Sequence, residues 1–356
     1  MRGEFPLVFS RIAAQNPRRT MRIAQIATVD TPVRREHSGS IEQHVWLLAR
    51  ELTALGHEVT TFGAPGSEVA GQFVATLPGT YAENGAPEDW RICEIINIAR
   101  ALERAADFDV MHSHGYLLAL SFDRLVRTPL VHTLHIHPYE NSVAMRALFP
   151  GACVTGISHF QWSETPHLPI AAIIPHGVDS SQFTLRTGPG EYLAYLGRFI
   201  PDKGPLTAIR VARKLGIPLR LAGARNEYFD ERLAPEIDGE LVRYVGTVTG
   251  VERDRFLGGA SALLYPLEAP EPFGLVQIEA MMCGTPVVAM KLGAVAEIVE
   301  DGVTGFSAGT PQDFAGKIAP ALALDRARIR ETAGRRFSAV AMARAYAELY
   351  ERITKK

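Results

Sequence analysis

Residues Leu264–Met290 read LYPLEAPEPFGLVQIEAMMCGTPVVAM. An apolar strand, Ala262–Tyr265, runs into a proline-broken loop that ends Glu271-Pro272-Phe273-Gly274. A helix is expected to open at Gly274–Leu275 and to stop at Cys283, because Gly284 suits the position after a helix end and Pro286 cannot continue one. A second apolar strand, Pro286–Met290, follows. The loop of this strand–loop–helix–strand unit leaves the carboxyl end of a strand, where open α/β sheets bind their ligands.

Two carboxylates give the stretch its chemistry. Within the helix, the neighbours of Glu279 at three and four residues are Leu275, Val276, Met282 and Cys283, all apolar. Helical geometry therefore puts this carboxylate on a hydrophobic face. A buried carboxylate needs a partner, either a cation of the protein or the hydroxyls of a ligand. Glu271 stands eight positions earlier, at the mouth of the loop. Between the two, the backbone N–H groups of Phe273, Gly274 and Leu275 form an open helix N-terminus, which suits an anion. Carboxylates for hydroxyls beside donors for phosphate are what a sugar nucleotide needs; a structural ion pair at Glu279 is the competing reading.

Outward from this unit the chain alternates strand and helix. Arg22–Val29, His57–Phe62, Phe108–His112, Pro129–Leu134, Cys153–Ile157 and Ala172–Pro175 read as strands, with helices over Ile41–Leu55 and Trp90–Ala106. After the polar Thr184–Glu191, read as a linker, the pattern restarts with strand Tyr192–Leu196, helix Pro205–Leu215, strands Leu219–Ala222 and Val242–Val245, and helix Val251–Gly258. Beyond the central unit a helix is expected near Val295–Val299, and the segment from Asp325 to Ile353 reads as largely helical. Such alternation implies mostly parallel sheets covered on both faces. The expected architecture is α/β, two doubly wound halves facing a cleft.

A second anion feature precedes the central unit. Strand Tyr192–Leu196 runs into GRFIPDKG, Gly197–Gly204, so Arg198 and Lys203 share one loop at a strand's carboxyl end. Arg grips phosphate with its fork and Lys acts as a point charge. Two solvated loop charges are the plainer alternative. No GxxxxGK[ST] is present, and no GxGxxG follows the Met21 or Tyr192 strand, which argues against P-loop and dinucleotide sites.

Composition narrows the classes further. A length of 356 residues suits about two domains. A net charge of −2 leaves no basic footprint for nucleic acid. Cys93, Cys153 and Cys283 are widely spaced and form no CxxC, which points to reduced thiols in a cytoplasm and to neither disulfides nor a zinc site. No stretch approaches the ~18 apolar residues of a membrane span, so any membrane contact is peripheral. Residues 1–20 read as a disordered extension without a signal-peptide core.

Gly197-Arg198 with Lys203 five residues on, Glu271 and Glu279 with seven residues between them, and CGTPVV at Cys283–Val288 together resemble the retaining glycosyltransferases of family 4, also called glycosyl transferases group 1. So does the tract Gly293–Phe306, GAVAEIVEDGVTGF, which is similar to the family's GGVPEIVEDGVTGF. The resemblance runs from Met21 to the C-terminus. It implies a GT-B fold: an acceptor-binding Rossmann-like domain over 21–183, a nucleotide-sugar-binding one over 191–337, and a C-terminal helix, 338–356, packing back on the first.

The resemblance also implies roles. Arg198 and Lys203 would hold the donor diphosphate, and Glu279 the ribose hydroxyls. Glu271 would contact the transferred sugar, while Phe273, Gly274 and Leu275 help hold the donor. His135, ending the strand PLVHTLH, matches the family's active-site histidine, and His112 and His114 match a structural tract. The expected catalytic set is therefore His135, Glu271, Arg198 and Lys203. Gly39 matches a donor-contacting glycine of the first-strand loop, where Ser40 replaces a second one. Asp107-Phe108-Asp109 is a DxD whose position suits a helix end better than a metal site, so a metal-independent reaction is expected.

The expected reaction moves a sugar, with retention, from a UDP-, GDP- or ADP-sugar to a hydroxyl acceptor, with no cofactor. A sugar-nucleotide epimerase and a non-catalytic sugar-nucleotide-binding protein are the alternatives. Up to Phe183 the chain holds 14 Lys plus Arg against 18 Asp plus Glu, which favours a soluble acceptor over one on an anionic bilayer. Arg34 and Arg35 are the local exception. With 31 Arg against 6 Lys, the composition hints at a GC-rich bacterial source.

Overall fold

A computed structural model describes residues 19–35, 40–81 and 90–355. The extension before Arg19 and the expected contact at Gly39 lie outside the described residues. The chain divides into two compact units: one holds the chain up to Gly177 together with Ala339 onward, the other Val178–Ser338.

Seven strands make the sheet of the first unit: β1 Arg22–Ile26, β2 Glu58–Gly63, β3 Gln72–Ala75, β4 Val110–Ser113, β5 Leu130–Thr133, β6 Cys153–Gly156 and β7 Ala172–Ile173. Their order is β3-β2-β1-β4-β5-β6-β7, and the pairs are parallel. The order reverses between β1 and β4, the switch point at which open α/β sheets leave a crevice at the strands' carboxyl ends. Ile23, Ala24 and Ile26 are fully buried, as expected for a strand covered on both faces.

The helix Ser40–Ala54 turns Val45, Leu48, Ala49 and Leu52 inward at helical spacing. Against it packs the C-terminal helix Ala339–Thr354, which buries Met342, Ala343, Tyr346, Ala347, Leu349 and Tyr350 in one cluster with Ile23, Leu48, Leu52, Val110 and Val131. Its phenols are satisfied there: Tyr350 Oη lies 2.6 Å from His112 Nδ1, and Tyr346 Oη 3.1 Å from Thr133 Oγ1.

The second unit carries six strands: β8 Tyr192–Leu196, β9 Leu219–Ala222, β10 Val242–Tyr244, β11 Ala260–Tyr265, β12 Val287–Met290 and β13 Gly305–Ala308. Their order is β10-β9-β8-β11-β12-β13, again parallel, with the reversal between β8 and β11. The helix of the central unit runs Leu275–Met282, with Gly274 before it and Cys283 at its end.

Three differences from the sequence reading have physical causes. The chain leaves the first unit at Gly177–Val178, so Thr184–Glu191 is no linker. Its polar groups are bound within the second unit, where Thr184 N–H donates to Asp254 Oδ1 at 2.7 Å and the Arg186 guanidinium pairs with Asp254 at 3.1 Å. The short edge strands β3 and β13 are absent from the reading because each buries too little to show an apolar run. The helix Glu140–Leu148 is also additional; it has a single fully buried residue, Arg146, and hence little apolar periodicity.

Candidate active site

Adjacency of β8 and β11 brings the two anion features of the sequence together. The loop after β8 carries Arg198 and Lys203, and the loop after β11 carries Glu271. Their contact is close: a Cβ on Gly204, whose φ is +64°, would stand 1.9 Å from the Pro266 carbonyl oxygen. Only glycine fits there without moving one loop. Asp202 C=O reinforces the seam by accepting from the Glu268 N–H at 2.8 Å.

Across this seam Lys203 Nζ pairs with Glu271 Oε1 at 2.6 Å. Both side chains are mostly buried, and Glu271 Oε2 has no hydrogen-bond partner among the described residues. Glu271 is held from below by the tract that the sequence marked at Gly293. The Ala294 N–H donates to Glu271 C=O at 2.9 Å, and Gly293, at φ +62°, lies so close that a Cβ would stand 2.1 Å from that oxygen. Arg198 is exposed and has no ion-pair partner among the described residues. Phe273 is buried, with its ring edge-on to Phe337, while Gly274 and Leu275 are partly exposed at the mouth of the helix.

Glu279 meets a cation. Arg253, on the helix Gly250–Gly258, places Nη1 3.0 Å from Glu279 Oε1, and its Nε is buried without a partner among the described residues. Arg253 had no signal in the sequence, because its helix is polar and short. Arg198, Lys203, Glu271, Phe273, Gly274, Leu275 and Glu279 thus all belong to one unit.

His135 belongs to the first unit, immediately after β5. It stands in a chain of histidines that sequence reading reached only in part. Gln25 Oε1 lies 2.8 Å from His114 Nε2, His114 Nδ1 2.9 Å from His135 Nε2, His135 Nδ1 3.5 Å from His176 Nε2, and His176 Nδ1 2.8 Å from His44 Nδ1. Burial holds the four imidazoles below their ordinary pKa, His176 at about 4, so they are neutral near pH 7.

Neutral rings give the chain a direction. Gln25 donates its amide N–H to Tyr350 Oη, so its oxygen accepts from His114 Nε2. His135 then donates from Nε2, His176 from Nε2 and His44 from Nδ1, which leaves His44 Nε2 a buried lone pair without a partner among the described residues. Ring nitrogens of His44, His114 and His135 lie within 4.8 Å of one another, and neutral imidazole is a good ligand for transition metals. A metal ion there would replace the hydrogen bonds just described. His44 and His176 escaped the sequence reading because only the fold brings the helix Ser40–Ala54 and the segment after β7 to the end of β5.

The remaining polar candidates are structural. Asp109 of the DxD accepts the Arg22 N–H at 2.8 Å and pairs with the Arg22 side chain at 3.3 Å, while Asp107 pairs with Arg104 at 3.0 Å. Arg34 donates to the Gly66 carbonyl at 2.7 Å.

The sequence matches two families, Glycosyltransferase Family 4 over residues 41–182 and Glycosyl transferases group 1 over residues 179–336. The chain belongs to the group 1 glycosyltransferases of family 4 type. It is 26% identical to a glycogen synthase of Mycobacterium tuberculosis, covering 82% of this chain and 85% of that one. With a D-inositol 3-phosphate glycosyltransferase of Arthrobacter it shares 25% identity over 80% of this chain and 82% of the relative. Among solved structures, AviGT4, a glycosyltransferase involved in avilamycin A biosynthesis, aligns at a TM-score of 0.71 with 26% identity, covering 94% and 98% of the two chains. Anabaena HepE, solved with UDP-glucose, shares the fold at a TM-score of 0.68 and 19% identity over 94% and 100%. The fold of this glycosyltransferase is therefore GT-B, built from two Rossmann-like domains.

Proposed function

We propose that this glycosyltransferase is retaining and metal-independent, and that Arg198, Lys203, Glu271, Glu279 and the amides at Phe273–Leu275 form its donor site. The observation that carries the reading is the meeting of the β8 and β11 loops at the switch point of their sheet. There two cations, two carboxylates and an open helix N-terminus share the carboxyl edge of adjacent strands. A nucleoside diphosphate needs that set: cations and amides for the phosphates, carboxylates for the ribose and sugar hydroxyls. HepE, of the same fold, is described in complex with UDP-glucose, which makes UDP-sugars the first donors to try.

In the proposed reaction the bond from the anomeric carbon to the diphosphate oxygen breaks as the acceptor oxygen bonds to the same face of that carbon. The leaving diphosphate takes the acceptor's proton. Arg198 and Lys203 stabilise the charge growing on the phosphate, the role that a metal ion plays elsewhere. Glu271 exchanges Lys203 for sugar hydroxyls when the donor enters, and His135 serves the donor sugar as the family resemblance implies. Three free cysteines and the absence, among described residues, of a helix able to cross a membrane fit a place in the cytoplasm.

The test is a thermal-shift panel of UDP, GDP, ADP and their hexose conjugates, with and without Mg²⁺, on the wild type and Glu279→Ala. A donor at ~100 times its dissociation constant adds about 2.7 kcal/mol, which is several degrees. One nucleotide series should shift the wild type without metal and leave the variant unmoved. A shift that requires Mg²⁺ would overturn metal independence, and no shift at all would overturn the donor site. The configuration at the product's anomeric carbon, read by NMR, decides retention.

A further inference from the structure

At the switch point of the first sheet, a second group of side chains gathers that the donor chemistry does not use. Glu42 comes from the first turn of the helix Ser40–Ala54, Glu94 from the helix Trp90–Leu102, and Asp30 from the segment after β1. Glu42 and Glu94 are 3% and 1% exposed. Thr28 Oγ1 donates to Glu42 Oε1 at 2.5 Å, and the Val29 N–H donates to Glu94 Oε1 at 2.9 Å. Glu94 Oε2 is buried without a partner among the described residues.

The segment after β4 is bent over this oxygen. Gly115 packs beside it, since a Cβ there would stand 3.5 Å from Glu94 Oε2, in ordinary contact. Tyr116 and Leu117 follow at φ +52° and +67°, the two described non-glycine residues in the left-handed region. Such backbone costs about 1–3 kcal/mol per residue and persists where a site needs it. Tyr116 lies edge-on to Trp90, at 5.0 Å, and Tyr81 is hydrogen-bonded to Asp30.

The protonation of the group follows from its burial. Desolvation pushes Glu94 up to about 8 and raises Glu42 as well, and the neighbouring carboxyls push the same way. The Val29 N–H occupies Oε1, so near pH 7 Glu94 carries its proton on Oε2: an O–H donor with nothing to receive it. The main influences on Glu42, Glu94, Tyr81 and Tyr116 are carboxyls, phenols, a hydroxyl and backbone amides, with no Lys or Arg among them. Arg91 is nearby but lies over the Trp90 ring, 4.9 Å from its centroid.

We propose that this group, with Glu94 Oε2 at its centre, is the acceptor subsite and that it takes a hydroxyl-rich acceptor bearing no phosphate. The inference rests on the glycosyltransferase reading and adds the acceptor class. A sugar or polyol hydroxyl accepts the Glu94 proton and donates to Glu42 or Asp30. A phosphate would have to give up its water beside buried carboxyls, and neither Lys nor Arg is among the main influences on Glu42 and Glu94. In this the chain departs from its relative that acts on D-inositol 3-phosphate.

Saturation-transfer NMR on the protein with bound nucleoside diphosphate tests this, using the pairs glucose and glucose 6-phosphate, and myo-inositol and inositol 3-phosphate. The unphosphorylated member of a pair should bind at least roughly tenfold better. Glu94→Met, which offers no donor, and Tyr116→Phe should each weaken it, whereas Glu94→Gln, whose amide N–H donates in the proton's place, should not. Equal or better binding of the phosphorylated member overturns the proposal. So does the lack of any signal from the free members, or a signal that Glu94→Met and Tyr116→Phe both leave unchanged. Nucleotide binding measured by calorimetry on the same samples separates the two readings, because its failure would count against the donor site and not against the acceptor class.

Discussion

Lys203 Nζ and Glu271 Oε1 are 2.6 Å apart, joining the loops after two adjacent strands that lie some sixty residues apart in sequence. The pair neutralises two mostly buried charges, and in the proposed donor site it supplies both to the donor. Exchanging Lys203 for Met removes the cation proposed to meet the donor phosphate and strands the Glu271 carboxylate. Donor turnover should fall by about 10²–10³, and the thermal midpoint should drop as well, since an unpaired buried charge destabilises the fold. Steady-state kinetics and calorimetric melting check both. A fall in activity with an unchanged midpoint would make the pair unimportant to the empty protein.

Gly293 supports Glu271 through backbone alone. Gly293→Ala would meet the Glu271 carbonyl at 2.1 Å and place a side chain at φ +62°. We expect a loss of about 1–3 kcal/mol in stability together with weakened donor binding. Gly309→Ala, at a glycine with open space for a Cβ and no positive φ, should do neither. Urea unfolding and nucleotide titration of the two variants make the comparison.

The histidine chain sets an acid limit. A His176 pKa lowered from 6.5 to about 4 means that the unfolded chain binds its proton first as pH falls. Stability from this group is full above pH 6.5, declines from there to about pH 4, and is lost below. His44, His114 and His135 shift the same way and steepen the decline. His176→Asn should flatten the urea midpoint between pH 6.5 and 4 by about one proton's worth of slope. An unchanged slope would mean that His176 is charged in the folded state.

Glu94 acts with the opposite sign. Its carboxyl is raised from 4.5 to about 8, so the folded state holds a proton that the unfolded state has released. Its contribution is full below pH 4.5 and declines as pH rises through 8. Glu94→Gln, which cannot ionise, should gain stability relative to wild type as pH rises from about 5 to about 8. Parallel urea midpoints for the two proteins across that window would place the folded carboxyl near its ordinary pKa.

Much of this was open to reading in one dimension. Local signals of spacing, capping glycines and strand–helix alternation placed β8 and β9 over their full observed ranges and the central helix to within a residue or two. They also marked Arg198, Lys203, Glu271 and Glu279 on one unit, since each of these sits in a loop or helix whose type is legible locally. Sequence alone likewise required a partner for Glu279, because an apolar helical face cannot hold a lone carboxylate.

Tertiary structure decided who meets whom. That Glu279 pairs with Arg253, Lys203 with Glu271, and His135 with His114 and His176 depends on strand order, which rests on pairings between segments far apart in the chain. The same holds for the boundary at Gly177–Val178, where polar residues that read as a linker find their partners inside the second unit. Protonation was decided there too: a glutamate becomes a neutral donor, and four histidines stay uncharged, only when folding removes the water around them.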